Sequence, residues 1–278
     1  MNVAIAIVNI AAPLLVVTLG ALISEYAGRM AMFLEYMINL GAFLCYALTV
    51  ATGNAVLATA LSLLVCMTLV LALEKTASRF GANMFLVSLA MNMLFGAGVS
   101  LLSSVMFGTR GVLYGPAFKF DPAATRTVTS IACYALSLLQ VAFLLLTRPG
   151  LALRITGSDA DMLEAQGIRT ARYRSLAWLI AAADGAFCGC VLALRLSSFV
   201  PGVSSGRGWT ALAAVFLARK NTADLIPAVF VFALAEWLSS NIQNYEAFRS
   251  VPSSVLLALP YLLSLALIAL LPGKHLSK

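Results

Sequence analysis

The sequence is poor in what a soluble catalyst uses. Charged residues make up 10% of its 278 positions and histidine occurs once, at His275; soluble domains run near a quarter charged. There is no G-x-S-x-G, no H-E-x-x-H and no paired metal-ligand spacing, so the common hydrolase and metalloenzyme signatures are missing. The glycine-rich phosphate loop is missing too. Gly273-Lys274 is followed by His275 and lacks the upstream glycine spacing, so any ATP-driven work needs another chain to bind the nucleotide. No basic n-region or small-residue cleavage site accompanies the first apolar run, and that run is expected to be retained. The five cysteines (Cys45, Cys66, Cys133, Cys188, Cys190) all fall in apolar stretches, where thiols serve as small packing residues. Cys188-x-Cys190 with one histidine in the chain argues against a metal centre.

What remains is apolar. Hydrophobic residues are 62% of the chain, and several runs exceed the ~18 residues a helix needs to cross a bilayer. The expectation is an all-α polytopic membrane protein with about 8–9 transmembrane helices including one short or re-entrant helix, built as a single domain over 1–278. Spans are predicted at Val3–Leu22, Met30–Thr49, Asn54–Leu73, Ala82–Met106, Val128–Leu146, Leu176–Leu196, Leu225–Ser240 and Val255–Leu271. Glu74 to Arg79 reads as a charged loop. The stretch 108–127 carries too much Gly and Pro for a helix along its whole length. WTALAAVFLARK, after the Ser-, Gly- and Pro-rich SSFVPGVSSGRG, is about half the length of a span; a short helix at membrane depth must be buried in protein or line a cavity.

The longest polar interruption is the loop over 148–175, with Arg148, Arg154, Arg169, Arg172 and Arg174. A short Arg-rich loop stays cytoplasmic. With it inside and the spans alternating outward, twelve of the eighteen Lys and Arg fall inside, and the N-terminus is expected outside. The net charge of +7 therefore sets topology and meets anionic lipid rather than nucleic acid. Within this loop Ser158 can cap a compact helix with Asp161 at its third position, and Asp159, Asp161 and Glu164 favour its N-terminal end. Gly167 can close it in the left-handed region. Two readings stand: an ordinary positively charged loop, or a docking helix for a cytoplasmic partner.

Polar residues inside apolar helices are expensive and often functional. Glu35 is either such a group or a helix-end carboxylate in water or paired with Arg29. Asn39 and Asn92 either contact a ligand or tie helices together. Asp184 stands on a helix rich in small residues (Ala181, Ala182, Ala183, Gly185, Ala186, Gly189) and should meet a partner helix or a polar cavity. Arg195 can snorkel at the end of the same helix. Phe199, Arg207 and Trp209 surround the short segment, as interfacial anchors or as part of a path.

Four stretches carry a family resemblance. Ala12 to Leu44 (APLLVVTLGALISEYAGRMAMFLEYMINLGAFL) resembles the second-helix signature of bacterial ABC permeases for nucleosides and simple sugars, relatives of branched-chain amino acid permeases and of riboflavin-type importers. Gly81 to Gly111 is similar to the next signature, with Asn83, Leu89 and Asn92. GLALRITGSDADMLEAQGIRTARYRSLAWLIAAADGAFCG resembles the coupling loop and following helix. SFVPGVSSGRGWTALAAVFLARKNT is similar to the Phe-x-Pro, Gly-Arg-Gly segment.

The resemblance implies a permease subunit in the bacterial inner membrane, importing a small solute by alternating access. Ser158, Asp161, Met162, Leu163, Glu164, Ala165, Gly167 and Ile168 would meet a cytoplasmic ATP-binding subunit that holds the ATP and Mg. A substrate-binding periplasmic protein or lipoprotein and a second permease subunit, identical or homologous, would complete the assembly. A path lined by Phe33, Glu35, Tyr36, Asn39, Asn92, Phe95, Asp184, Phe199, Arg207 and Trp209 would carry the solute. Ala31, Phe33 and Tyr36 stand where the motif has Asn and glycines, and Met84 where it has Gln. Aromatic replacement suits a planar solute, nucleoside or riboflavin, better than a bare sugar. The competing readings are an ion-gradient-driven secondary transporter acting without an ATPase, which would show internal repeats, and a membrane enzyme or scaffold.

Overall fold

A computed structural model describes residues 3–241. The predicted span Val255–Leu271, His275, Arg249 and the basic tail lie outside the described residues. The helices are α1 (Val3–Tyr26), α2 (Leu34–Thr52), α3 (Ala55–Arg79), α4 (Met84–Phe107), α5 (Pro122–Leu146), α6 (Arg148–Thr156), α7 (Ala160–Ala165), α8 (Thr170–Leu196), α9 (Arg207–Leu217) and α10 (Thr222–Asn241). Seven of them are long and apolar enough to cross a membrane, and α9 is short. The architecture is the expected all-α polytopic one.

α8 is the axis, packed against α1, α2 and α3. Its small residues explain this. In lipid there is little hydrophobic drive between helices, so close backbone approach does the work. A Cβ on Gly189 would collide with the Ile38 carbonyl and the Ala42 nitrogen, and one on Gly41 would sit 2.5 Å from Ala186 Cα. α3, α4 and α5 present apolar outer faces, including Val56, Leu64, Met93, Leu101 and Leu138.

Several boundaries differ from expectation. Glu74 to Arg79 is helix, because Glu74 is buried and its carboxylate meets Arg29 at 2.6 Å. α5 starts at Pro122, earlier than Val128: Asp121 Oδ2 accepts from Ala124 N at 2.8 Å and Pro122 occupies the first turn, the asymmetric start that Asp-Pro favours. The polar stretch before it holds a 3-10 turn at Pro116–Phe118 and a bridge between Leu113 and Phe199. The Arg-rich loop contains two helices rather than one. Thr147 caps α6, accepting from Gly150 N at 3.1 Å.

The ends segregate. Arg29, Lys75, Arg79, Lys220 and α6–α7 lie at one end. The hydrogen bonds from Trp178 Nε1 to the Arg29 carbonyl (2.8 Å) and from Tyr26 Oη to the Lys220 carbonyl (2.7 Å) gather these junctions.

Candidate functional site

Between α1 and α2 the chain leaves helical form over 27–33. A buried interruption must have its backbone groups satisfied by neighbours, and here side chains supply several of them. Ala31 N donates to Ser24 Oγ (3.1 Å), Met32 N to Ser88 Oγ (2.7 Å) and Tyr36 N to Asn92 Oδ1 (3.0 Å). Asn92 therefore ties α4 to the first turn of α2.

Glu35 stands just beyond this break. Its Oε1 accepts from Ser204 Oγ (2.5 Å) and Gly206 N (2.9 Å), and its Oε2 from Gly208 N (2.8 Å). The carboxylate thus caps α9, where free N–H groups and the helix dipole favour negative charge. Arg29 is not its partner and pairs with Glu74 instead. The approach requires glycine: a Cβ on Gly208 would lie 2.5 Å from the Glu35 backbone, and Gly206 has φ +82°. Asn39 Nδ2 donates to Ser204 Oγ (2.7 Å), so Glu35 and Asn39 of α2 both hold the loop that leads into α9. Arg207, the first residue of α9, pairs with Glu236 of α10.

The expected path residues divide. Phe33 is fully buried and meets Phe95 and Trp178 edge-on, with centroids 6.4 and 5.3 Å away. Those rings are packing. Glu35, Asn39, Asn92 and Arg207 gather around the break and the start of α9. Tyr36 and Trp209 are each 39% exposed and follow directly on Glu35 and Gly208 in sequence; the Tyr36 ring lies over Gly96. Phe199 is elsewhere, buried against Phe43 (5.4 Å) at the end opposite α6–α7. Asp184 is also apart, facing α5, where Gln140 Nε2 donates to its Oδ1 at 2.5 Å. Arg195 does not snorkel: it turns inward to Asn9, Thr129 and Ser130.

At the other end α6 and α7 sit under the bundle. Gly157 N donates to the Tyr26 carbonyl at 2.9 Å, and a Cβ on Gly157 would lie 2.7 Å from Gly28 N. Two glycines therefore seat the helix pair on the α1–α2 turn. Asp159, not Ser158, caps α7: its Oδ1 accepts from Met162 N at 3.0 Å, while Ser158 Oγ turns back to the Ile155 carbonyl. Gly167 follows α7 with φ +77° and donates to the Glu164 carbonyl. Leu163 is buried, Ile168 half-buried, and Asp161, Met162, Glu164 and Ala165 are exposed; Glu164 accepts from Thr170 Oγ1 at 2.5 Å.

Sequence reasoning missed Ser24, Ser88, Glu74, Gln140, Ser204, Trp178 and Glu236. Glu236 and Gln140 carried a visible signal, a charge and an amide inside apolar runs. The serines carried none, since a hydroxyl can satisfy its own helix.

Comparison with known proteins agrees with this geometry. The family model described as branched-chain amino acid transport system / permease component matches residues 3–271. The ABC transporter permease protein TsgC13 of Haloferax volcanii is 28% identical over 260 residues, covering 86% of this chain and 77% of that one. The guanosine ABC transporter permease protein NupQ of Bacillus subtilis is 26% identical over 277 residues, covering 92% and 87%. Among solved structures, PsaBC from Streptococcus pneumoniae in complex with Fab superposes with a TM-score of 0.61 over 99% of this chain and 94% of that one. Its 12% identity makes it a likeness of fold.

Proposed function

The chain belongs to the branched-chain amino acid transport system permease component family, and we propose that, as the membrane-spanning permease subunit of an ABC importer, it passes a nucleoside-like or riboflavin-like solute, or a simple sugar, into the cell. The names of its relatives print guanosine and glucose. Tyr36 and Trp209, the exposed aromatics beside the Glu35–Gly208 contact, would line the path and favour a planar ring. The membrane is the bacterial inner membrane. ATP and Mg belong to a separate ATP-binding subunit, and a periplasmic or lipid-anchored binding protein delivers the solute. The chain works as one permease domain paired with a second permease chain about an approximate two-fold axis, since a two-ATPase motor needs two docking helices.

One observation carries this reading: α7 is anchored by Leu163 and presents Asp161, Met162, Glu164 and Ala165 outward beneath the bundle. A capped helix of that kind fits a groove on an ATPase, and Ser158 and Ile168 mark the limits of the contact.

Two measurements test it. Gly167→Pro should abolish uptake and substrate-stimulated ATP hydrolysis while the protein still inserts, because Pro cannot adopt a positive φ and the N–H to Glu164 is lost. Normal coupling in that variant would refute the docking role. Met162→Cys should react with an impermeant maleimide only after cells are permeabilised. The native cysteines are all buried, so labelling of intact cells at Met162→Cys would place α7 outside and overturn the orientation.

A further inference from the structure

Arg195 ends α8 in an unusual setting. Its Nε donates to Thr129 Oγ1 (2.9 Å), its Nη1 to the Asn9 carbonyl (2.7 Å) and its Nη2 to Ser130 Oγ (2.8 Å). All three acceptors are neutral. Taking a guanidinium out of water without a counter-charge is costly; Arg29 and Arg207 offset that cost with Glu74 and Glu236. Arg195 lines a cavity of about 660 Å³ at the end opposite α6–α7, a volume in the range of small-molecule sites. Arg126 of α5, Arg207 of α9 and Trp237 of α10 also line it. The side chain of Arg126, which is exposed, makes no hydrogen bond or ion pair with the described residues, and Arg207 Nε is buried without an acceptor among them. Arginines from three helices thus line one cavity, and Arg207 brings Glu236 as its own carboxylate partner.

We propose that this cavity is an oxyanion site that takes a phosphate group. Guanidinium N–H groups bind phosphate oxygens in charge-assisted pairs, and three of them converging from different helices suit a group with several oxygens better than a single carboxylate. Ile10, Leu192 and Trp237 offer apolar surface for whatever carries the phosphate. A lipid headgroup and a soluble phosphate present the same chemistry. Arg207 is shared with the expected solute path; Arg126 and Arg195, which the test changes, are not.

The test uses the full chain in phosphatidylcholine nanodiscs, with melting midpoint and Trp fluorescence as readouts. Two arms separate the sources: inorganic phosphate against chloride at equal ionic strength, and nanodiscs containing phosphatidylglycerol. Binding in either arm should raise the midpoint by on the order of a few degrees, and Arg126→Gln, at a side chain with no partner to lose, should remove the rise. Arg195→Gln should do the same where it folds. A rise with phosphatidylglycerol alone identifies a headgroup. Absence of a rise in both arms, or an equal rise in Arg126→Gln, overturns the site. So does an Arg126→Gln defect confined to docking of the substrate-binding protein, which would make the cavity part of a protein interface. No arm reads uptake, so failure here leaves the permease reading standing.

Discussion

At the end of the bundle that carries α6 and α7, cations meet carboxylates: Arg29, packed inward, lies 2.6 Å from Glu74, and Lys220, at the surface, lies 2.6 Å from Glu25. At the opposite end Arg195 packs inward against hydroxyls and a carbonyl. In the first arrangement each of these two cations is paired within the fold. Glu74 also accepts from Ser175 Oγ at 2.9 Å, so one carboxylate joins the α1–α2 turn, α3 and α8. The second leaves positive charge to spare. At one end charge is paired with charge; at the other Arg195 joins α8 to α1 and α5 through neutral groups alone.

That contrast can be broken at graded cost. Glu74→Ala should be the most damaging, because it leaves the Arg29 guanidinium buried and unpaired, a loss of about 3–5 kcal/mol for a pair of this kind. It would be read as a collapse in expression and in melting midpoint. Gly157→Ala should follow. Its new methyl would lie 2.5 Å from the Tyr26 carbonyl and 2.7 Å from Gly28 N, and backbone cannot yield as a side chain does; overpacking costs about 1–3 kcal/mol. Uptake in that variant should fall further than stability, since the seat of α6–α7 is displaced while the bundle above it is intact. Arg195→Met should cost about 1–2 kcal/mol. Thr129 keeps its bond to the Thr125 carbonyl (2.7 Å) and Ser130 its bond to Asn9 Oδ1 (2.7 Å); only the Asn9 carbonyl loses its donor, because Pro13, four residues on, has no N–H. A loss at Arg195→Met as large as that at Glu74→Ala would erase the difference between the ends. Lys220→Ala removes an exposed partner and should fall within about 1 kcal/mol of the parent chain.

Sequence periodicity and run length were enough to find the spans, because a transmembrane helix is a local object set by apolar length. The small-residue face of α8 was visible for the same reason, as was the left-handed close at Gly167. Boundaries failed where a distant partner decided them. Glu74 reads as a loop residue until Arg29, 45 positions away, is placed on it. Ser158 looked like the cap of α7 by spacing, but Asp159 reaches the N–H of Met162 and the Ser158 hydroxyl turns back to Ile155. Glu35 was legible as costly and therefore important, yet its partner Gly208 lies 173 residues on. No window contains both. What brings them together is the break at 27–33, and that break rests on hydroxyl and amide groups of α1 and α4 whose helical contexts look ordinary.

Glu35 fixes the first turn of α9, and the segment leaving it is fixed too, through Tyr26 Oη to the Lys220 carbonyl (2.7 Å) and to Thr222 Oγ1 (3.2 Å). Both tethers lead to the same non-helical elbow, one on either side of it. A rod pinned at its two extremities to a single joint cannot slide like a piston along the bilayer normal. It can only rock together with that joint, and the joint is the seat on which Gly157 rests. On the proposed docking role, a push from below would therefore reach α9 at both of its ends through that one joint.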